Sequence, residues 1–176
     1  MTSQQRLPLG QVLLGFLSQG PMHGYDLHRR AQDELGRVWR MGISNVYAAL
    51  KKLEEANYVE STLAPQNGRP SRKVYHITPS GRKSFRAWVK KPAPNMRRLR
   101  VEFLAKLYFL RALGLTGTET LIAAQEAICR ERVARLERAV ANCSPQDFDR
   151  SVFDLRLRQI EAILDWLQAR RRENRA

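Results

Sequence analysis

Three short stretches of helical periodicity, followed by two β-rich stretches, constrain the fold of this chain more than any other feature of its sequence. Apolar residues recur at helical spacing in segments 8–18, 23–35 and 44–56. Tyr58–Leu63 and Lys73–Ile77 are then rich in β-forming residues, with turn-forming residues between them. This order predicts a winged helix-turn-helix, mainly α with a small β-hairpin.

Capping residues define the predicted ends of these helices. Ser44 is a good N-cap for the third helix, and Asn57 stands where a left-handed helix end is expected. Thr78 and Pro79 are typical of an N-cap and a first-turn proline. A fourth helix is therefore predicted from Pro79 to about Lys91.

Pro92-Ala-Pro-Asn95 interrupts the helical pattern and marks the predicted domain boundary. Proline disfavours helix in the residue before it, and extended proline-containing linkers separate units that pack independently. We expect a winged helix-turn-helix domain over 1–91, a linker over 92–96 and a helical, coiled-coil-like domain over 97–176.

The second half is predicted to be helical, in segments 97–113 and 118–142 and in a last helix that Ser144–Asp147 starts as a capping box. The two long helices carry apolar seams with coiled-coil spacing. The candidate dimerisation residues on these seams are Val133, Leu136, Val140, Phe153, Leu157, Ile160, Leu164 and Leu167. A second seam on the last helix consists of Phe148, Val152, Leu155, Ala162 and Trp166, interrupted by Gln159. Two seams on one helix indicate an internal contact and a contact with another subunit.

The net charge of +14, at a sequence pI near 10.7, predicts an anionic partner, either nucleic acid or an anionic membrane surface. Residues 1–91 contain 15 basic and 6 acidic residues, so the first half is the stronger candidate for the anion-facing part. Leu13–Leu17 lacks the basic flank and the cleavage site of a signal peptide and is too short to span a bilayer. We therefore expect no membrane partner.

The third predicted helix carries candidate contacts to double-stranded DNA. In a winged helix-turn-helix this helix is narrow enough to enter the major groove. Lys51 and Lys52 would meet phosphates or base edges. Asn45 would contact a base edge and Tyr47 a phosphate, and Ser44 lies on the same face. The alternative interpretation is an ordinary solvated helix face.

The predicted turn, Pro65–Arg72, gives the hairpin a basic tip. Arg69, Arg72 and Lys73 would hold the DNA backbone or the minor groove, unless they only make the loop soluble. Sequence-specific DNA binding is the leading interpretation because the element order and the charge agree. A non-specific, nucleoid-type DNA binder and a protein-interaction adaptor are the alternatives.

Four segments resemble signature segments of the PadR family of transcriptional regulators. They are Leu14-Gly-Phe-Leu-Ser-Gln-Gly-Pro-Met-His-Gly-Tyr-Asp-Leu27, Asn45-Val-Tyr-Ala-Ala-Leu-Lys-Lys-Leu-Glu-Glu55, Gly68-Arg-Pro-Ser-Arg-Lys-Val-Tyr-His-Ile-Thr-Pro-Ser-Gly81 and Glu102-Phe-Leu-Ala-Lys-Leu-Tyr-Phe109. The resemblance implies a homodimer held by the C-terminal helices and bound to a pseudo-palindromic operator. It also implies a repressor that a small aromatic or amphipathic effector releases in several members.

Trp39, Trp88 and Trp166 could stack on such an effector, although the simpler interpretation is that they are core or interface aromatics. Cys129 and Cys143 are too far apart on one helix to pair, and the low cysteine content fits a reducing cytoplasm. No phosphate loop, metal-ligand spacing or catalytic motif is recognisable, so we expect no cofactor, no metal and no enzymatic activity. Glu126–Arg130 and Glu131–Arg135 have the (i, i+4) spacing of surface helix pairs.

Overall fold

The computed structural model describes residues 8–66 and 69–174, the side chains of 65, 66, 69–71 and 97 excepted. The chain forms two compact units. The first contains the chain up to Lys90 together with Arg97–Thr116, and the second contains Lys91–Met96 and Gly117–Ala176. In the part of the chain that is described, no helix is both long and apolar enough to cross a membrane.

The first unit is built around its first helix. Helix α1 (Leu9–Leu17) is followed by a two-residue strand β1 (Met22–His23), helix α2 (Gly24–Leu35) and helix α3 (Ile43–Glu55). The residues of α1 that pack inward are almost completely inaccessible to solvent: Val12, Leu13, Leu14, Phe16 and Leu17. Burial of apolar side chains stabilises such an element by about 1.5–3 kcal/mol per large residue. The three predicted helices are thus confirmed, and β1 is an addition to them.

The predicted hairpin forms, but it is longer than the sequence pattern indicated. Strands β2 (Val59–Gln66) and β3 (Arg69–Ile77) pair in antiparallel register, and β1 pairs with the other edge of β3. The expectation that Pro65–Arg72 is all turn was wrong, because Ala64 pairs with Arg72 and Gln66 with Arg69. A register shift between Ala64 and Gln66 accommodates the intervening proline, which has no N–H to donate to a ladder.

The predicted caps of the first unit are confirmed at two positions and wrong at one. The Gly81 N–H donates to Thr78 Oγ1 at 3.1 Å, which caps helix α4 (Pro79–Val89). Asn57 has a φ of 57°, the left-handed conformation expected of it. Ser44 is not the N-cap of α3, because Gly42, whose backbone is extended, occupies that position two residues earlier.

Residues 97–116 group with the winged helix, not with the long helices as the sequence division had it. They form a short helix α5 (Met96–Arg98), a π-helical turn (Leu99–Phe103) and helix α6 (Leu104–Ala112). Phe109 of α6 makes edge-to-face contacts with Phe16 and Phe85, at ring-centroid distances of 5.0 and 5.4 Å. This aromatic cluster joins α6 to α1 and α4, because burying aromatic rings against one another is strongly favourable.

The second unit is a helical hairpin of α7 (Thr118–Ala141) and α8 (Phe148–Glu173). The hairpin is antiparallel, because the end of α8 meets the start of α7 at the Arg171–Glu119 pair. The predicted start of the last helix at Ser144 was wrong. The Ser144 N–H donates instead to the Asp147 carboxylate at 2.8 Å, which forms a turn, and α8 begins only at Phe148 with no capping hydrogen bond from the Asp147 side chain.

The two predicted seams of helix α8 differ in burial: one is buried or partly buried, and the other is mostly exposed. Ile160 and Leu167 are buried within the single chain, so they offer no surface to a second subunit. The other predicted dimerisation residues are partly buried: Val133, Leu136, Val140, Phe153, Leu157 and Leu164. On the second seam Phe148, Leu155 and Trp166 are exposed.

Candidate nucleic-acid interface

Helix α3 presents one apolar face to the core and one polar face to solvent. Its apolar spacing buries Val46, Leu50 and Leu53. All five residues proposed as DNA contacts on this helix are exposed: Ser44, Asn45, Tyr47, Lys51 and Lys52. Lys51 forms a loose ion pair with Glu55, at 4.0 Å, and its side chain is 79% exposed. Its ammonium group is therefore available to an anion.

A cavity of about 390 Å³ lies between this helix, the start of α2 and the hairpin. Its lining residues are His23, Gly24, Tyr25, Tyr47, Arg72, Lys73 and Tyr75. The N-terminus of α2 opens into this region with no side-chain cap, so its first backbone N–H groups are available to a ligand. Uncapped helix N-termini favour anions, phosphates in particular.

Gly24 allows Tyr47 to lie directly against the start of α2. A Cβ atom at position 24 would lie 2.6 Å from the Tyr47 ring and 3.2 Å from its hydroxyl oxygen. The absence of a side chain at position 24 therefore leaves the space that the Tyr47 ring and hydroxyl occupy. Sequence reasoning selected Tyr47 but missed His23, Gly24, Tyr25 and Tyr75, because the cavity depends on the pairing of β1 with β3.

The base of the hairpin is attached to α3 through Glu54. The Ser61 hydroxyl donates to this carboxylate, and Lys73 Nζ lies 3.4 Å from it. The Ser61 hydrogen bond and, to a smaller extent, the charge of Lys73 hold the pKa of Glu54 below its usual value, against the opposing effect of burial. Lys73 lines the cavity while paired, and its backbone oxygen contacts His23 Nδ1 at 3.1 Å.

We expect Ser61→Ala to make the first unit less stable at neutral pH by about 0.5–1 kcal/mol, because it removes the hydrogen bond to Glu54. Solvent screening keeps the effect small, since the Glu54 side chain is 33% exposed. Because the pKa of Glu54 is lowered on folding, the stabilisation is present above about pH 4.5 and is lost as the pH falls through the folded-state pKa. Urea denaturation of the wild-type protein and of Ser61→Ala, between pH 3 and 7, measures the difference in their free energies of unfolding. A pH-independent difference would contradict the assignment.

The remaining hairpin candidates are Arg69 and Arg72. Arg72 is exposed and lines the cavity, whereas the side chain of Arg69 lies outside the described part of the structure. The three tryptophans do not share one environment. Trp88 donates its indole N–H to Glu102 at 2.9 Å, which favours a structural role. Trp39 is partly buried, and Trp166 lies on the exposed seam of α8.

Two family models match this chain: the PadR-like family of transcriptional regulators over residues 13–87, and the C-terminal part of virulence activator alpha over residues 99–173. The probable transcriptional regulator Rv1176c of Mycobacterium tuberculosis is 30% identical over 137 residues, which cover 74% of this chain and 72% of that protein. The chain belongs to the PadR-like family of transcriptional regulators. The resemblance seen in its motifs is confirmed, and the protein is a regulator, not an enzyme.

This PadR-like regulator is also similar to a Bacillus subtilis protein and to structures of it. The negative transcriptional regulator PadR of Bacillus subtilis is 28% identical over 147 residues, 80% of this chain and 79% of that protein. A structure of B. subtilis PadR with operator DNA is 24% identical and covers 92% of this chain and 94% of that one, with a TM-score of 0.48. A structure of the same protein with p-coumaric acid is 24% identical and covers 93% and 95%, with a TM-score of 0.42.

Proposed function

We propose that this PadR-like regulator is a homodimeric, sequence-specific repressor that binds a pseudo-palindromic operator through α3 and the β2–β3 hairpin. The cavity that brings together the uncapped start of α2, Tyr47 and Arg72 is the observation that carries this proposal. It lies directly beside the exposed polar face of α3. Sequence-specific recognition of a duplex needs one element that contacts base edges and a neighbouring site that binds a backbone phosphate. Helix α3 and the cavity beside it supply these two parts.

Each part of this surface has a distinct role in the proposal. Helix α3 enters the major groove, where Asn45 reaches a base edge and Lys51 and Lys52 reach phosphates or base edges. A backbone phosphate occupies the cavity, where it accepts hydrogen bonds from the start of α2 and from Tyr47 and is attracted by Arg72. Such phosphate contacts fix the register of the helix on the duplex.

Dimerisation is proposed through the exposed seam of α8. Phe148, Leu155 and Trp166 are 81%, 59% and 37% exposed, with Val152 between them on the same seam. Large apolar side chains aligned along one helix lose their contact with water when a second copy packs against them. A two-fold dimer would place two α3 helices about one DNA turn apart, roughly 34 Å, and so require an inverted repeat.

Repression is the proposed output, because the B. subtilis relative is named a negative transcriptional regulator. Release by a small aromatic effector belongs to the same proposal and follows from the family resemblance. A cytoplasmic location is part of the same proposal, because a transcriptional regulator must reach the DNA that it binds.

Selection of bound fragments from sheared genomic DNA, with purified protein at about 150 mM salt, tests the proposal. We expect enrichment of a short inverted repeat. Uniform recovery of fragments would instead indicate a non-specific, nucleoid-type binder. A failure to recover DNA would contradict DNA binding and favour an interaction adaptor.

Lys51→Gln is expected to weaken operator binding about tenfold at 150 mM salt and to make the salt dependence less steep by about two phosphate contacts per dimer, one from each subunit. Tyr47→Phe should also weaken binding, because it removes the hydroxyl that donates to the phosphate. Fluorescence anisotropy on a labelled operator measures both effects. Lys83→Gln is the matched control, since it removes an exposed charge from α4. If Lys51→Gln and Tyr47→Phe bound the operator with the same affinity as Lys83→Gln, α3 would not be the helix that contacts the bases.

Leu155→Glu is expected to raise the dimer dissociation constant at least tenfold, because it places an unpaired carboxylate in an apolar contact. Sedimentation velocity over a concentration series measures the shift. Arg156→Glu, at the next residue but off the seam, introduces the same carboxylate and should leave the dimer intact. An unchanged dimer in Leu155→Glu would move the interface away from this seam.

A further inference from the structure

The solvent-exposed side of α3 changes in chemistry along the helix. Residues Ile43–Leu50 carry no formal charge, and all four charged residues of α3 lie in the last five positions, 51–55. In a helix-turn-helix, the N-terminal residues of the helix in the major groove contact the base edges. The half of α3 that would meet the bases is therefore uncharged.

Asn45 and Ala48 are both exposed in this uncharged half, away from Val46 and Leu50 in the core. They are three positions apart, so they are neighbours on the helix surface. A Cβ atom at position 42 would lie 3.6 Å from the Asn45 amide nitrogen, and Gly42 is the N-cap residue. The amide therefore lies at the tip of the helix. Among the described residues none forms a hydrogen bond with this amide, so its oxygen and its nitrogen are both available.

The other exposed residues of this half are suited to different contacts. Tyr47 lines the cavity beside α3, where the proposed complex holds a backbone phosphate. Ser44 carries a hydroxyl group, which pairs with several bases and discriminates poorly among them. Ile43 is 39% exposed but continues the apolar stripe that faces the core. The base contacts that specify a sequence are thus left to Asn45 and Ala48.

The four bases differ in what they present in the major groove. Guanine presents two acceptors, which Arg or Lys contact, and cytosine presents a donor, which a carboxylate contacts. The first half of α3 has none of these side chains. Adenine presents an acceptor beside a donor, which is the complement of a side-chain amide, and thymine presents a methyl group, which a small apolar side chain contacts. An amide beside an alanine therefore matches A·T pairs.

Given the proposed operator binding, on which this assignment rests, we infer that Asn45 and Ala48 determine operator specificity by contacting A·T base pairs. The Asn45 amide donates to N7 of an adenine and accepts from its N6 amino group. The Ala48 methyl group packs against the methyl group of a thymine. Side chains three positions apart on a helix are about 5–6 Å from each other, and base pairs are about 3.4 Å apart. The thymine therefore lies within about two base pairs of the adenine in each half-site.

Small changes in the DNA bases test this assignment without altering the protein. The probe is the inverted repeat recovered by the genomic selection, with one base replaced at the symmetric position of both half-sites. 7-Deazaadenine lacks the N7 acceptor of adenine, and deoxyuridine lacks the methyl group of thymine. For one adenine and one thymine position, we expect binding to weaken about threefold per half-site and about tenfold for both half-sites together. Fluorescence anisotropy at about 150 mM salt measures the affinities.

Two variants of the full-length protein assign each effect to one residue. Asn45→Ala should bind the 7-deazaadenine operator as well as the unmodified operator, and should still discriminate against deoxyuridine. Ala48→Gly should do the reverse, since it removes only the side-chain methyl group. Lys51→Gln is the control, because it weakens binding but should keep both sensitivities. Circular dichroism checks that each variant keeps the helix content of the wild-type protein.

The outcomes distinguish a failure of this assignment from a failure of the proposed function. If an inverted repeat were recovered but neither base analogue weakened binding at any position, the protein would bind its operator without contacting A·T pairs through these residues. Sensitivities in Asn45→Ala and Ala48→Gly equal to those of the wild-type protein would also overturn the assignment. Uniform recovery of genomic fragments would overturn both the assignment and the proposed function.

Discussion

Glu102→Ala is expected to destabilise the first unit by about 3–5 kcal/mol, the usual effect of removing one partner from a buried ion pair. The Lys106 side chain is 1% exposed, and its Nζ lies 2.6 Å from Glu102 Oε1. Arg98 Nε lies 2.6 Å from Oε2 of the same carboxylate, and the Trp88 indole N–H donates to Oε1. Without the carboxylate, the buried Lys106 ammonium and the Arg98 guanidinium, whose side chain is 20% exposed, both lose the negative charge that they share.

Urea denaturation measures this effect, with Glu131→Ala as the matched control. Glu131 also forms an (i, i+4) pair, with Arg135, but both side chains are about 70% exposed and the change should be below about 0.5 kcal/mol. The double variant Glu102→Ala/Lys106→Met should recover part of the lost stability, because it removes the buried ammonium as well. If Glu102→Ala cost less than about 1 kcal/mol, the buried pair would not be a major source of stability.

The sequence could not distinguish buried ion pairs from exposed ones. Glu131–Arg135 was predicted to be a surface pair, and this is confirmed. Glu126–Arg130 was also predicted to lie on the surface, which was wrong, because Glu126 is 1% exposed. Arg171 of α8 lies 3.3 Å from the same carboxylate. The spacing of a pair within one helix does not encode which other element covers it.

Local patterns predicted the elements of the first unit, and non-local pairing determined the site. Helical periodicity and β-forming residues are properties of neighbouring residues, so α1, α2, α3 and the hairpin could be predicted, as could the exposure of Tyr47 and Lys51. The cavity beside α3 could not, because strand β1 has only two residues and thus no alternation to detect. Its pairing with β3 joins residues about 50 positions apart.

The same distinction applies to residues 97–116. Their helical pattern was predicted, but proline residues at 92 and 94 suggested that the next helix belonged to another domain. The actual grouping depends on Phe109, whose ring fits between Phe16 and Phe85. A sequence pattern identifies an apolar face, whereas the complementary shape that receives it becomes visible only in three dimensions.

Gly15→Ala is expected to destabilise the first unit by about 2–3 kcal/mol, although alanine is the better helix former. A Cβ atom at position 15 would lie 2.5, 2.6 and 2.8 Å from three atoms of the Phe109 ring. That ring is fully buried and is held by Phe16 and Phe85, so it has no free space into which it can move. The added methyl group must therefore push α6 away from α1, which disrupts packing over the whole aromatic cluster.

Gly10→Ala is the control, because it makes the same substitution in the same helix. A Cβ at position 10 would lie 3.3 Å from the Leu53 side chain, a flexible neighbour that can adjust by a few tenths of an ångström. This variant should be neutral or more stable by up to about 1 kcal/mol, since glycine is a poor helix former. Thermal unfolding of both variants separates the steric effect from the helix-propensity effect. If Gly15→Ala were as stable as Gly10→Ala, α6 would not pack against α1 through Phe109.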